Sequence, residues 1–304
     1  THCAMSLRAG RKAGAHHMGA RSFHRFLGAN QRQLATRRIG VCASGPDATL
    51  PWPAPGADIP AISAAAQGLS QAISPAAIPL AETMILSDPD LLGSSEDLLA
   101  GRFYPGVGAR ATALRLALGR PADRIVLSIM SYDQLFRAAW RAKAAEGEAA
   151  AFGALAKRMA GFSGGWIDVI DPLAEVAGQG EIVLPTAPPE PADLLAQLCP
   201  GLDLEGFDTV TPVEEPTESA VAMIQRHIAA GGRFAPGQTE RLIAFHARQP
   251  QDDGVVPDSF PALSLADLRG RYVADLATLA ARPGVTLAGY SMAGFARPVR
   301  RFAT

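Results

Sequence analysis

The chain has 304 residues, 48% hydrophobic and 19% charged, which is the make-up of a packed domain and excludes a disordered chain. Aromatic residues are only 6%, so alanine and leucine are expected to build most of the core. A net charge of −1 excludes a broad nucleic-acid surface and leaves a local anion pocket open.

At the N-terminus Arg8, Arg11 and Lys12 have no apolar segment after them, so no secretory signal is read. Residues 14–23 follow as a glycine-bearing loop, Gly14 to Gly19, running through Ala20 and Arg21 into a helix. Phe23, Phe26, Leu27 and Leu34 give that helix its apolar stripe to about Arg38, and Ser22 is placed to cap or open it. A loop at a helix N-terminus turns backbone N–H groups and the positive end of the helix dipole toward an anion. Such a phosphate loop requires a buried strand just ahead of it. Residues 7–12 make a poor one, which leaves a truncated start or an eroded edge of the fold as the two readings.

Ile39 to Cys42 reads as a short strand, and residues 45–60 as a Pro- and Gly-rich loop. A helix is expected from Ile62 to Ile73. The alanine-rich stretch around it, 61–86, is broken by Gln67, Gln71, Pro75 and Pro79, and nowhere is it long enough for a membrane span. Thr83 to Ser87 is a buried strand, closed by Asp88-Pro89-Asp90. After Tyr104-Pro105-Gly106 comes a helix through Leu114 and Leu118, broken at Arg120-Pro121. Ile125 to Ile129 is the clearest strand. It leads into a helix with the apolar face Tyr132, Leu135, Phe136, Ala139 and Trp140, and helical sequence continues to about Met159. Trp166 to Val176 is the next helix and Glu181 to Leu184 the next strand. This alternation predicts an α/β fold with a parallel central sheet.

Beyond Pro185 helices are expected over 193–199, 217–230 and 239–247, and Ser264 to Asp267 has the pattern of a capping box opening a last helix through Leu268, Tyr272, Leu276 and Leu279. Cys3, Cys42 and Cys199 are far apart, with neither a CxxC pair nor metal spacing. Their odd count fits a reducing, cytoplasmic compartment. His16, His17 and His24 cluster at the loop without a plausible metal-triad geometry, and no metal site is expected. His227 and His246 read as surface or helix-end residues.

The loop resembles the 5′-phosphosulfate loop of bacterial P-loop sulfotransferases, of the form G-x-H-[KR]-T-G-[ST]-[ST]-S-F. Gly14, His16, Gly19, Ser22 and Phe23 match it. His17 stands at the Lys/Arg position, Met18 at the Thr, and Ala20 and Arg21 at the hydroxyl pair. The resemblance implies a three-layer P-loop sandwich with a helical C-terminal part, forming one domain over 1–304 with an α/β core over 1–185 and a mainly helical part over 186–304. It implies 3′-phosphoadenosine-5′-phosphosulfate as cofactor, bound by Gly14, His16, His17, Gly19, Ala20, Arg21, Ser22 and Ser131. The acceptor would be a small-molecule or glycan hydroxyl, with no nucleic acid or membrane partner.

Two further stretches extend the resemblance. The family's 3′-phosphate site is a strand ending in Arg followed by a helical Ser. Here Ser131 to Gln134 matches the surrounding pattern, but Met130 holds the Arg position and Ala138 the Ser position, and Arg137 is expected to face water. The family's S-x-E-N-L-x-G segment falls on Ser87 to Gly93, with Pro89 at the Glu position. Asp88 or Asp90 would then be the general base, with His17 a further catalytic candidate and the turn around a proline the plainer role. The alternative function is a catalytically silent sulfotransferase-like binding protein that has lost its cofactor ligands. A rival motif, Gly289 to Gly294, looks like the nucleophile elbow of α/β-hydrolases. No Asp, Glu or His follows it, and it reads as a C-terminal turn.

Overall fold

The computed structural model describes residues 2–7, 20–43, 50–74, 81–88, 91–147, 150–187, 189–211, 216–235, 237–249 and 259–289. In chain order the elements are β1 (His2–Leu7), α1 (Ala20–Ala29), α2 (Gln31–Thr36), β2 (Ile39–Ala43), α3 (Ile59–Ile73), β3 (Thr83–Asp88), α4 (Ser95–Leu99), α5 (Val107–Leu118) and β4 (Arg124–Leu127). Then follow α6 (Tyr132–Ala145), α7 (Phe152–Ala160), α8 (Trp166–Ala177), β5 (Glu181–Pro185), α9 (Pro191–Leu198), α10 (Glu218–Ala229), α11 (Gln238–Ala247), α12 (Ala262–Ala280) and β6 (Val285–Ala288).

The strands form one sheet in the order β2-β3-β1-β4-β5-β6, and every neighbouring pair is parallel. Strand periodicity sorts the side chains between two apolar layers. Met84, Leu86, Ile125, Leu127, Ile182 and Leu184 enter the larger cluster, built with α4 to α8 and α12. Ile85, Val126 and Val183 point the other way, onto Phe23, Phe26 and Leu27 of α1, Leu34 of α2, and Leu194, Leu195 and Leu198 of α9. Helix α3 lies outside this arrangement, on α5, through Ala66, Leu69 and Ala113. The sparse aromatics are concentrated where α6 meets α8. Phe103 lies 5.3 Å from Tyr132 and 5.1 Å from Trp166, and Tyr132 lies 4.7 Å from Phe162, ring centre to ring centre. Burying each such ring contributes about 1.5–3 kcal/mol.

Several expectations need correction. The first strand is His2–Leu7 rather than the poor candidate over 7–12, and it occupies the interior of the sheet. The helix expected as far as Arg38 is split at Asn30. The Asn30 side chain turns back to the Phe26 carbonyl at 2.9 Å and out to the Asp208 carbonyl at 3.0 Å, and it receives the Asp208 N–H at 2.7 Å. The capping box does not open α12. The helix begins at Ala262, with the Leu265 N–H already on the Pro261 carbonyl, so Ser264 lies inside the first turn. Val285–Ala288, for which the sequence marked no element, pairs with β5 as the edge strand β6. The rest of the Gly289 to Gly294 motif lies outside the described residues. Among the described residues no helix is long and apolar enough to cross a membrane.

Candidate functional site

The chain leaves β1 through residues 8–19 and re-enters the described structure at α1. Helix α1 packs on the α9 side of the sheet. Both neighbours of β1 send their connections across the other side, β3 through α4 and α5, and β4 through α6, α7 and α8. The C-terminal end of β1 is therefore a topological switch point, the place where a parallel sheet opens a crevice for a ligand.

Gly14, His16, His17 and Gly19 lie outside the described residues, as does Asp90. Ala20 and Arg21 are the first two residues of α1, a ten-residue helix. Ser22 is not the cap: it lies inside the first turn and is buried. Asp88 is the last residue of β3, 1% exposed, and pairs in register with Leu7 at the end of β1. Ser131 follows β4 as the residue before α6, with extended backbone and no capping bond from its side chain. The strand order thus sets Asp88 on one side of the β1 end and Ser131 on the other.

Burial, with the Asp88 carboxylate adding to it, pushes the Cys42 thiol on β2 up to about 11. The α6 start is bound into the fold from behind. Buried Asp133 meets Arg269 of α12 at 3.3 Å, and the Trp166 indole N–H donates to the Met130 carbonyl at 2.9 Å. Tyr132 donates its hydroxyl proton to Asp275, and burial together with that carboxylate raises its pKa well above the ordinary phenol value. Arg137 does not face water as expected. It donates to Glu218 of α10 at 2.8 Å, an acceptor it shares with Arg141.

Sequence reasoning missed one contact that ties the loop-bearing helix to the sheet. The His24 ring nitrogen Nε2 lies 2.8 Å from the Ser87 hydroxyl, joining α1 to the end of β3. The signal was the polar Ser87 two residues after Ile85, on the same strand face and fully buried, where a hydroxyl requires a partner. His227 and His246 are engaged locally, His227 against the Phe234 ring at 4.4 Å and His246 with Ser219 at 2.9 Å. Among the described residues no group of His, Cys, Asp or Glu side chains is arranged to hold a metal ion. Comparison of the chain with protein-family models, with curated proteins and with solved structures returned no match.

Proposed function

We propose that this chain is a sulfotransferase-family protein with a three-layer P-loop sandwich. Its reaction moves a sulfuryl group from 3′-phosphoadenosine-5′-phosphosulfate to a small-molecule or glycan hydroxyl in the cytoplasm. The observation that carries the reading is the switch point at β1, because the Gly14 to Gly19 loop connects that strand to α1. In this reading the loop and the first turn of α1, through Gly14, His16, His17, Gly19, Ala20, Arg21 and Ser22, hold the 5′-phosphosulfate. Ser131 holds the far phosphate.

The transfer is in line. The acceptor oxygen forms a bond to sulfur as the bond between sulfur and the phosphate oxygen breaks, and adenosine 3′,5′-bisphosphate leaves. The acceptor proton passes to a carboxylate, Asp88 or Asp90, or to His17. Catalysis rests on positioning and on cationic and N–H stabilisation of the departing phosphate.

One observation favours a second reading, a silent binding protein. Met130 and Ala138 stand where a phosphate ligand set is needed, and the nearby Arg137 is held by Glu218. A missing bidentate Arg–phosphate contact weakens binding by roughly 1.5–3 kcal/mol, about one to two decades. Calorimetry with adenosine 3′,5′-bisphosphate tests both. The unmodified chain should bind weakly or not at all, and Met130→Arg with Ala138→Ser should tighten binding by at least about tenfold. No gain from the double change favours the silent protein. Tight binding by the unmodified chain means that Arg21 or another cation has taken over the phosphate.

A further inference from the structure

We infer that Trp166 is a positioning residue for the nucleotide, anchored by Tyr132 and Asp275, and that it sets Ser131 and the start of α6 at the crevice. The inference rests on the site proposed above. Trp166 is 2% exposed and opens α8. Its indole N–H donates to the Met130 carbonyl at 2.9 Å, so it holds the residue just before Ser131. Its backbone N–H donates to the Tyr132 hydroxyl at 2.8 Å and to Asp275 at 3.0 Å, so it also holds the residue just after Ser131. Ser131 is gripped on both sides while its own hydroxyl makes no capping bond. That leaves the hydroxyl available to a ligand on a fixed backbone.

The grip is itself braced. A Cβ at Gly165 would come within 2.8 Å of the Tyr132 hydroxyl and 2.9 Å of the Asp275 carboxylate, so only glycine lets the three groups close together. Arg271 of α12 lies over the Phe162 ring at 3.8 Å and donates to the carbonyls of Phe162 at 3.3 Å and Gly164 at 2.9 Å, fixing the approach to Trp166. From the opposite side the Ile129 N–H bonds the Pro185 carbonyl at 2.9 Å. An apolar core has no need of this many directed bonds at one strand-to-helix junction. A site whose ligand is read by one hydroxyl does, because the supporting contacts hold that hydroxyl in its productive place.

The test uses Trp166→Phe in the full chain carrying Met130→Arg and Ala138→Ser, with adenosine 3′,5′-bisphosphate and inorganic pyrophosphate as calorimetric probes. In the site proposed above, pyrophosphate stands in for the 5′-phosphosulfate and does not reach Ser131. The expected result is about a tenfold loss for the bisphosphate and no change for pyrophosphate. Equal losses for both probes, or no loss for either, overturn the inference. Asp275→Ala, on the partly exposed face of α12, should give the same selective loss if Trp166→Phe does not fold. If neither probe binds any variant, the functional reading has failed, and amide exchange then decides the positioning. The Ile129 and Leu135 amides should exchange at least about tenfold faster in Trp166→Phe while those of Ile170 and Leu173 stay unchanged. Unchanged exchange at Ile129 and Leu135 overturns it.

Discussion

Replacing Glu218 by alanine should destabilise the chain mainly through two arginines. Glu218 stands in the first turn of α10, and its single oxygen Oε1 accepts from Arg137 at 2.8 Å and from Arg141. The three side chains are 27%, 29% and 23% exposed, so the pairs are screened less than surface pairs but are far from dry. Each is then worth about 0.5–1 kcal/mol. The carboxylate at the helix N-terminus adds about 0.3–1 kcal/mol. Its removal also leaves two cations one helical turn apart, a repulsion of a few tenths of a kcal/mol. The sum is about 2 kcal/mol. With a urea slope of roughly 3 kcal/mol/M for a chain of this size, the unfolding midpoint should fall by about 0.6 M with the slope unchanged. Circular dichroism during urea titration measures it. Raising the salt from about 50 mM to 500 mM should shrink the difference markedly, since the Debye length falls severalfold. A midpoint shift below about 0.1 M, or one indifferent to salt, would refute the electrostatic account of this clamp.

Five further outcomes are expected. Asn30→Ala removes a fully buried side chain with one bond to Phe26 and two to Asp208 at the α1–α2 break and should cost about 2–4 kcal/mol, read as a lowered unfolding midpoint. His24→Ala should cost about 1–3 kcal/mol by taking away the partner of buried Ser87, and amide exchange along α1 should quicken more than along α8. Gly180→Ala should cost upwards of about 3 kcal/mol and abolish soluble expression, because its Cβ would come within 2.2 Å of the Ala122 carbonyl oxygen. Cys42 and Cys199 are both raised from 9.0 to about 11, chiefly by burial, so in the native chain neither should react appreciably with a thiol reagent at pH 8. The sign for stability follows from the same shifts. Between pH 9 and 11 the unfolded chain loses these protons first, so stability falls as pH rises through that window, and denaturant titrations at a series of pH values measure the slope.

What the sequence discloses depends on where each element's reasons lie. Strands β3, β4 and β5 are short apolar runs between turn residues, and their character is local. Strand β1 reads His-Cys-Ala-Met-Ser-Leu, which has no clean alternation, and it is a strand because β3 and β4 bond it from both sides. The break at Asn30 is invisible in the α1 stripe because Asp208 completes it. The same holds at the candidate site. The Gly14 to Gly19 spacing falls outside the described residues, while the start of α6 is visible in the strand that precedes it. The partners that shape the site come from far along the chain: Ser87 for His24, Trp166 for Met130, Glu218 for Arg137. No periodicity reports such pairs, because each is a meeting of elements whose placement only the finished sheet decides.

The early position of β1 in the chain bears on how the molecule assembles. Strand β3 bonds β1 and β2, and β4 bonds β1 and β5, so among the described strands β1 joins the β2-β3 half to the β4-β5-β6 half. Because β1 precedes both partners in the chain, it waits for Thr83 and then Arg124 before its two edges are filled. Until then it is an unpaired ribbon, open to pairing with other chains. Such non-local pairing slows folding. The two halves meet along a zipper closed by six residues, and a ligand seated at the end of that zipper would bridge them. Slow refolding is the kinetic trace this topology should leave.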